Sequence, residues 1–255
     1  MGYKIGICGD SGSGKTTLSK ALGEVLGDCL ILECDRYHKW RRGHPKWEDY
    51  THLDVQANHM GTMVSDVNDL VLKRPVVRCD YDHTTGGFTE PQEILPKENI
   101  VVCGLHSLYC DDVFDLTVYM YTDDNLRTFW KISRDTKSRG HTFESVKKQI
   151  AHRRSDFKKY IKPQMEKANV IVNFHSESKD RLDIVKGIGT RMRILVNKLI
   201  PEDLIYRTYS KEGISVSVSD VGDYSEISFL SYPTSDVRYY YDYILVLLKS
   251  ILLIK

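Results

Sequence analysis

The sequence predicts an α/β fold: a mostly parallel sheet with helices on both faces, extended at its C-terminal end by antiparallel strands. Three observations predict it. Short runs of consecutive apolar residues alternate with stretches of helical periodicity from Lys4 to about Phe174, the pattern of buried parallel strands and their crossover helices. A glycine-rich turn joins the first apolar run to the first helical stretch. Beyond Thr190 the pattern changes to segments that favour strands linked by turn residues.

Taken in order, Lys4–Cys8 is the first expected strand, and a helix follows the glycine-rich turn to about Leu26. Cys29–Cys34 reads as a second strand ending at Asp35, then a polar and aromatic loop runs to about Leu53. The spacing of Val55, Met63, Val67 and Leu70 predicts a helix over Asp54–Leu72. Pro75–Thr89 is expected to be extended and to turn at "TTGG". Ile100–Cys103, Leu116–Tyr121 and Val170–Phe174 are further buried-strand candidates. Asp123–Arg139 reads as a helix with Asp123 or Asp124 near its cap, and Thr142–Tyr160 as a second, very basic helix. In the remainder, Met192–Leu199, Ile214–Val218, Glu226–Leu230 and Tyr239–Leu248 are expected as strands. Residues 1–190 then form the core, and residues 191–255 a strand-rich extension of the same domain.

Composition narrows the function. Over 255 residues the net charge is +1, so the chain as a whole gives no electrostatic case for a nucleic-acid or membrane partner. The six cysteines form no CxxC pair and no metal-ligand spacing, and several sit inside apolar runs, where a reduced buried thiol is expected. Met1 leads almost directly into the first strand, which leaves no room for a targeting peptide and points to the cytoplasm. The apolar tail Tyr243–Ile254, interrupted by Lys249, is too short to span a bilayer.

The glycine-rich turn carries the first chemistry. Gly9-Asp10-Ser11-Gly12-Ser13-Gly14-Lys15-Thr16 satisfies G-x-x-x-x-G-K-[ST], with a strand before it and a helix after it. Glycines let backbone N–H groups converge on phosphate oxygens, and the helix N-terminus adds a positive dipole end. Lys15 is placed to reach the β- and γ-phosphates of ATP, and the Thr16 hydroxyl, with Thr17 beside it, to meet Mg²⁺. The motif fixes a nucleotide site and leaves the acceptor open.

The acceptor is read from "ECDRYHKWRRGHPK". Asp35 stands where the carboxyl edge of the sheet faces the nucleotide, able to take a proton from an attacking hydroxyl or to hold Mg²⁺. The loop that follows has no acid from Arg36 to Lys46 but carries Arg36, Lys39, Arg41, Arg42 and Lys46, with His38 and His44 among them. A solvated loop or an RNA-contacting one could carry the same cations. Placement beside a candidate base favours an acceptor that is itself phosphorylated, because guanidinium forks bind phosphate in two parallel hydrogen bonds.

With these residues in view, the chain resembles the phosphoribulokinase/uridine kinase group of P-loop kinases, its phosphoribulokinases of the plant and cyanobacterial type in particular. The likeness rests on the phosphate loop, "DRYH" at Asp35–His38, "LDVQANHM" at Leu53–Met60 and "YDHTTG" at Tyr81–Gly86. It continues in "GLHSLY" at Gly104–Tyr109, "RDTKSRGH" at Arg134–His141 and "RRSDFKKYIKPQ" at Arg153–Gln164. The resemblance implies a P-loop NTPase fold of the nucleoside monophosphate kinase kind, and transfer of phosphate from Mg-ATP to the primary hydroxyl of ribulose 5-phosphate. It implies Asp35 as base, His38 and Arg42 at the sugar phosphate, and Tyr81 and His83 lining the acceptor site. It further implies a lid over about residues 134–164, in which Arg134 and Arg139 neutralise the transferring phosphoryl group and Asp135 orients them or the metal.

The chain also departs from the resemblance. Where the family ends a strand in glutamate before "GLH", this chain has Cys103, and a thiol cannot replace a carboxylate toward Mg²⁺. Asp35 and water suffice, or Glu33 or another acid compensates, or activity is weak or redirected. Ser13 stands at the position of the plant enzymes' regulatory cysteine, and Cys34 lies one place off its partner, so thiol regulation is not expected. An apolar C-terminal strand is expected to be able to pair with a second subunit as a homodimer. Three functions therefore compete: a sugar-phosphate kinase, a uridine/cytidine or other small-metabolite kinase, and a nucleotide-binding regulator of weakened activity.

Overall fold

The computed structural model describes residues 2–138, 142–176, 190–230 and 238–254. The chain opens with β1 (Lys4–Gly9), which leads through the glycine-rich loop into α1 (Lys15–Leu26). Next come β2 (Cys29–Glu33), a 3-10 turn over Cys34–Tyr37, and α2 (Met60–Val71). β3 (Val76–Arg78), β4 (Tyr81–Asp82), β5 (Gly87–Phe88) and β6 (Gln92–Ile94) make two nested antiparallel pairs, β3 with β6 and β4 with β5. The core resumes with β7 (Asn99–Gly104), β8 (Leu116–Thr122), α3 (Asp124–Ser138), α4 (Phe143–His152), α5 (Arg154–Asp156) and β9 (Val170–Ser176). It closes with β10 (Thr190–Asn197), α6 (Glu202–Lys211), β11 (Val216–Val221), β12 (Tyr224–Phe229) and α7 (Arg238–Leu252).

Eight strands share one sheet in the order β11-β12-β10-β9-β8-β1-β7-β2. β2, β7, β1, β8 and β9 run parallel, and β10, β12 and β11 continue antiparallel beyond β9. The alternation of side chains divides the core into two layers. Ile5, Ile7, Val101 and Cys103 pack with α1, α6 and α7 on one face. Leu32, Ile100 and Val102 pack with Met63, Val67 and Leu70 of α2 on the other. Farther along that second face, Cys8, Tyr119 and Ile171 meet Leu108 and Ala168 from the connecting turns. Burial on both faces is why these strands read as continuous apolar runs.

The largest correction concerns the tail. Tyr239–Leu248 is not a strand but lies within α7, and an apolar strand offered there to a second subunit does not exist. Tyr240, Ile244, Leu247, Leu248 and Ile251 are buried, a spacing of four and three that follows the helical repeat, whereas the tyrosines suggested β-propensity. The helix α6, with Leu204, Ile205, Thr208 and Tyr209 buried, had not been anticipated. The stretch read as one helix over 54–72 is interrupted: Asp54 caps a 3-10 turn at Val55–Ala57, and α2 begins only at Met60. Asn58 causes the break by turning its amide onto the carbonyls of His52 and Asp54. The basic helix read over 142–160 comprises α4, α5 and a π turn at Phe157–Ile161. Among the described residues, no helix is long and apolar enough to cross a membrane.

Candidate active site

The glycine-rich loop takes its shape from backbone conformations that residues with a Cβ rarely adopt. Gly12 and Gly14 have φ of 85° and 93°. A Cβ on Gly14 would also lie 2.2 Å from the Tyr241 hydroxyl, which donates to the Gly14 carbonyl at 3.3 Å. Because the tail is a helix, it brings Tyr241 onto the phosphate loop, a contact that the sequence pattern did not reveal. Lys15 Nζ donates to the Asp10 carbonyl at 2.8 Å, and the Asp10 carboxylate pairs with Arg127 at 3.1 Å. Burial pushes Lys15 below its ordinary pKa, with the negative charges of Asp10 and Asp35 among the groups opposing that shift.

A cavity of about 940 Å³ extends from this loop to the β4–β5 turn. Ser11, Gly12, Gly14, Lys15, Thr16 and Thr17 line one end of it, and Asp35, His38, Arg42, Tyr81 and His83 line the other. Of the remaining loop residues, Gly9 and Asp10 do not line the cavity, and Ser13 is buried with no hydrogen-bond partner for its hydroxyl among the described residues. Arg139 lies outside the described residues.

Asp35 is delivered by the 3-10 turn that follows β2. His83 Nε2 stands 3.1 Å from one of its oxygens and His38 Nε2 3.7 Å from the other. Burial alone would raise the Asp35 carboxyl. The His83 hydrogen bond, with the charges of His38, His83 and Lys15, outweighs that and holds it well below the usual carboxylate range. Arg42 clamps the acceptor loop to the hairpin, its backbone N–H donating to the Gly86 carbonyl at 2.6 Å and its Nη2 to the His83 carbonyl at 2.7 Å. His38 contacts Asn58 at 2.7 Å through Nδ1 and meets the Tyr81 ring edge-on at 5.3 Å. Burial lowers the His38 pKa despite the Asp35 carboxylate.

Across the cavity, α3 presents Lys131, Arg134 and Asp135. Asp135 is 2% exposed and accepts from Lys131 Nζ at 2.7 Å and Arg134 Nε at 2.8 Å. Arg134 also donates to Ser11 Oγ at 3.0 Å, which ties α3 to the phosphate loop. Burial, helped by the neighbouring Arg153 charge, pushes Lys131 down to about 8.

Lys15, Arg42 and Arg134, singled out from the sequence, all line the cavity, but most of the cations of the acceptor loop do not. Of the lysines and arginines from Arg36 to Lys46, Arg42 alone lines it; Arg36 pairs with Asp80 at 3.4 Å and Lys46 with Asp49 at 3.3 Å. Lys131 and Arg153, which had not been singled out, add charge there. Arg153 had been read only as part of the basic helix and of the "RRSDFKKYIKPQ" segment, with no role of its own, yet its Nε is buried with no hydrogen-bond partner among the described residues. Charge counting along a helix cannot say which of two adjacent arginines turns inward. His52 and Trp47, stacked at 3.8 Å, form an aromatic wall that was likewise not singled out.

The thiols are free, and Cys8, Cys34, Cys103 and Cys110 are buried. Burial pushes Cys103 up to about 11 and Cys8 and Cys110 to about 12. Thiolate is the reactive form, so an aromatic disulfide reagent at pH 7.5 is expected to label at most Cys29 and Cys79 rapidly in the native protein. Rapid labelling of four or more thiols before unfolding would contradict this burial.

A phosphate loop between β1 and α1, an acid at the end of β2 and a basic helical segment across the cavity, on this strand order, constitute the fold of the P-loop kinases. The chain belongs to the phosphoribulokinase/uridine kinase family, whose profile matches residues 4–181. It is 34% identical over 173 residues to a phosphoribulokinase of Synechocystis sp., covering 66% of this chain and 52% of the relative. Chloroplastic phosphoribulokinase of Spinacia oleracea is 30% identical over 237 residues, covering 82% and 54% respectively. The chain thus spans about half the length of these phosphoribulokinases. Uridine kinase of Staphylococcus epidermidis is 31% identical over 207 residues, covering 76% of this chain and 97% of the relative. Phosphoribulokinase from Rhodobacter spheroides superposes with a TM-score of 0.69 over 98% of both chains at 17% identity, a likeness of fold.

Proposed function

We propose that the protein is a kinase that transfers the γ-phosphate of ATP to a hydroxyl of a sugar phosphate, with ribulose 5-phosphate as the acceptor to test first. The acceptor hydroxyl gives its proton to an Asp35 oxygen as its own oxygen bonds to the γ-phosphorus. The bond from that phosphorus to the β–γ bridging oxygen breaks, and ADP leaves. The depressed Asp35 pKa supports an ionised carboxylate throughout the neutral range. Lys15 and Arg134 are placed to offset charge on the transferring group, with Asp135 holding Arg134 in position. Tyr81 and His83 line the acceptor end, and Arg42 with His38 would meet the sugar phosphate.

The donor chemistry fits Mg²⁺ arriving with the nucleotide. Thr16 and the carboxylates of Asp35 and Glu33 are hard oxygen donors at one cavity. Among the described residues no group of three or more His, Cys, Asp or Glu could hold a metal by itself, which suits an ion that draws its remaining ligands from phosphates and water. Bound there, Mg²⁺ would neutralise charge on the β- and γ-oxygens.

The observation that carries the choice of acceptor is Arg153, a cavity cation whose buried Nε has no hydrogen-bond partner among the described residues. An uncompensated buried donor is costly until an anion meets it. A uridine or cytidine acceptor is the second reading, favoured by the span shared with the staphylococcal uridine kinase and by the flat Trp47–His52 wall. ADP release from Mg-ATP separates the readings. Stimulation by ribulose 5-phosphate is the expected result, and stimulation by uridine alone would replace it with the second. ATP binding with no stimulation by sugar phosphates, pentoses or nucleosides would leave a nucleotide-binding regulator.

A further inference from the structure

Among the described residues three carboxylates line the cavity, and one of them is without a partner there. Asp35 faces two histidines, and Asp135 is enclosed by Lys131 and Arg134. The Glu33 carboxylate makes no hydrogen bond or ion pair among the described residues; the contact made there by Arg36 is with the backbone carbonyl. Its direction follows from the strand. Leu30 and Leu32 pack on the α2 side of the sheet and Ile31 on the α1 side, so alternation turns Glu33 toward α1. In register beside it stands Cys103, on the same face and packed in the core layer that includes Leu18 and Leu22 of α1. Glu33 and Cys103 are therefore two adjacent side chains at the carboxyl edge of the sheet, both at the cavity, facing the helix whose first turn presents Thr16.

Cys103 is on the strand next to β1 and so stands nearer the phosphate loop, but a protonated thiol offers Mg²⁺ nothing. We propose that Glu33 supplies the missing carboxylate from the neighbouring strand, accepting hydrogen bonds from water bound to the nucleotide's Mg²⁺. Reach through a water suits the spacing, since β2 lies one strand, about 4.8 Å, farther from the loop than β7, and Mg²⁺ keeps several of its waters. The inference rests on the kinase reading above and deepens it: the carboxylate sits on β2 and not on β7.

Mn²⁺ binding to the full chain saturated with a non-hydrolysable ATP analogue, followed by electron paramagnetic resonance of the free ion, tests this without turnover. Glu33→Gln is expected to weaken Mn²⁺ binding about 10- to 100-fold while leaving metal-free nucleotide binding in EDTA unchanged. Adding Cys103→Glu to that variant is expected to restore most of the loss, because the two positions share a face and a register. If Glu33→Gln does not fold by circular dichroism, Glu33→Ala takes its place under the same criteria. Unchanged Mn²⁺ affinity in the folded variant overturns the proposal, and so does a loss that Cys103→Glu does not restore, which would mark Glu33 as merely structural. Wild-type protein that binds no metal–nucleotide at all would instead overturn the kinase reading itself, so the two failures are distinguishable.

Discussion

Asp35→Asn is expected to lower kcat by roughly 10²- to 10⁴-fold, the range that a positioned general base contributes, while the affinity for ADP changes little. The substitution keeps the size of the side chain but removes its capacity to take the proton. It leaves His83 at 3.1 Å and His38 at 3.7 Å without the negative charge they face. Single-turnover kinetics locates the loss in the chemical step and not in product release. The acid limb of the pH profile carries a second expectation. The folded carboxyl titrates below its unfolded value, so its stabilisation is full above the unfolded pKa of about 3.9 and is lost as pH falls through the lower folded value. A fall in kcat between pH 5 and 7 would therefore belong to another group. Unchanged kcat in the variant would remove Asp35 from the role of base.

Asp135→Asn is expected to destabilise the protein by about 3–5 kcal/mol near pH 7, the cost of breaking a buried ion pair by removing one partner. Asp135 is 2% exposed and Lys131 5% exposed, so the lysine charge left behind has little access to water. The pH dependence has a definite sign. In the wild type burial lowers the Lys131 pKa to about 8 although Asp135 raises it, so without Asp135 the lysine gives up its proton at lower pH. The deficit of the variant against the wild type should therefore shrink as pH rises from 7 through about 8 to 9.5, where the wild-type lysine also gives up the proton that Asp135 helps it hold. Urea denaturation at the two pH values measures it. A deficit under about 1 kcal/mol at pH 7, the range of an exposed pair, would contradict the buried triad. ATP affinity should fall with it, since Arg134 loses the carboxylate that aims it at Ser11.

The parts of the molecule legible in the sequence are those fixed by local chemistry. The phosphate loop announces itself because its geometry demands glycines at fixed offsets, and Gly12 and Gly14 do adopt positive φ. The parallel strands were readable because burial on both faces leaves uninterrupted apolar runs, as in β7, every residue of which is buried. Asp35, His38, Arg42, Tyr81 and His83, far apart in sequence, do meet at one end of one cavity.

What was illegible depends on direction and on distant partners. Tyr239–Leu248 is rich in residues that suit strands as well as helices, and only packing against the sheet selects the helix. The choice between a solvated and an inward-facing arginine at 153 and 154 is made by the rotation of a helix end. The prominence given to the Arg36–Lys46 cluster failed for the same reason, since Arg36 and Lys46 turn to local carboxylates. The pairing of Glu33 with Cys103 could not be seen without the register of β2 on β7.

The central claim is that a phosphorylated acceptor meets Asp35 beside Arg153, whose buried Nε has no partner among the described residues. The ratio of kcat/KM for ribulose 5-phosphate to that for uridine, with Mg-ATP saturating, tests it most directly. A ratio of about 10² or more is expected from a site that leaves buried donors unpaired when the acceptor lacks a phosphate. A ratio below one would contradict it.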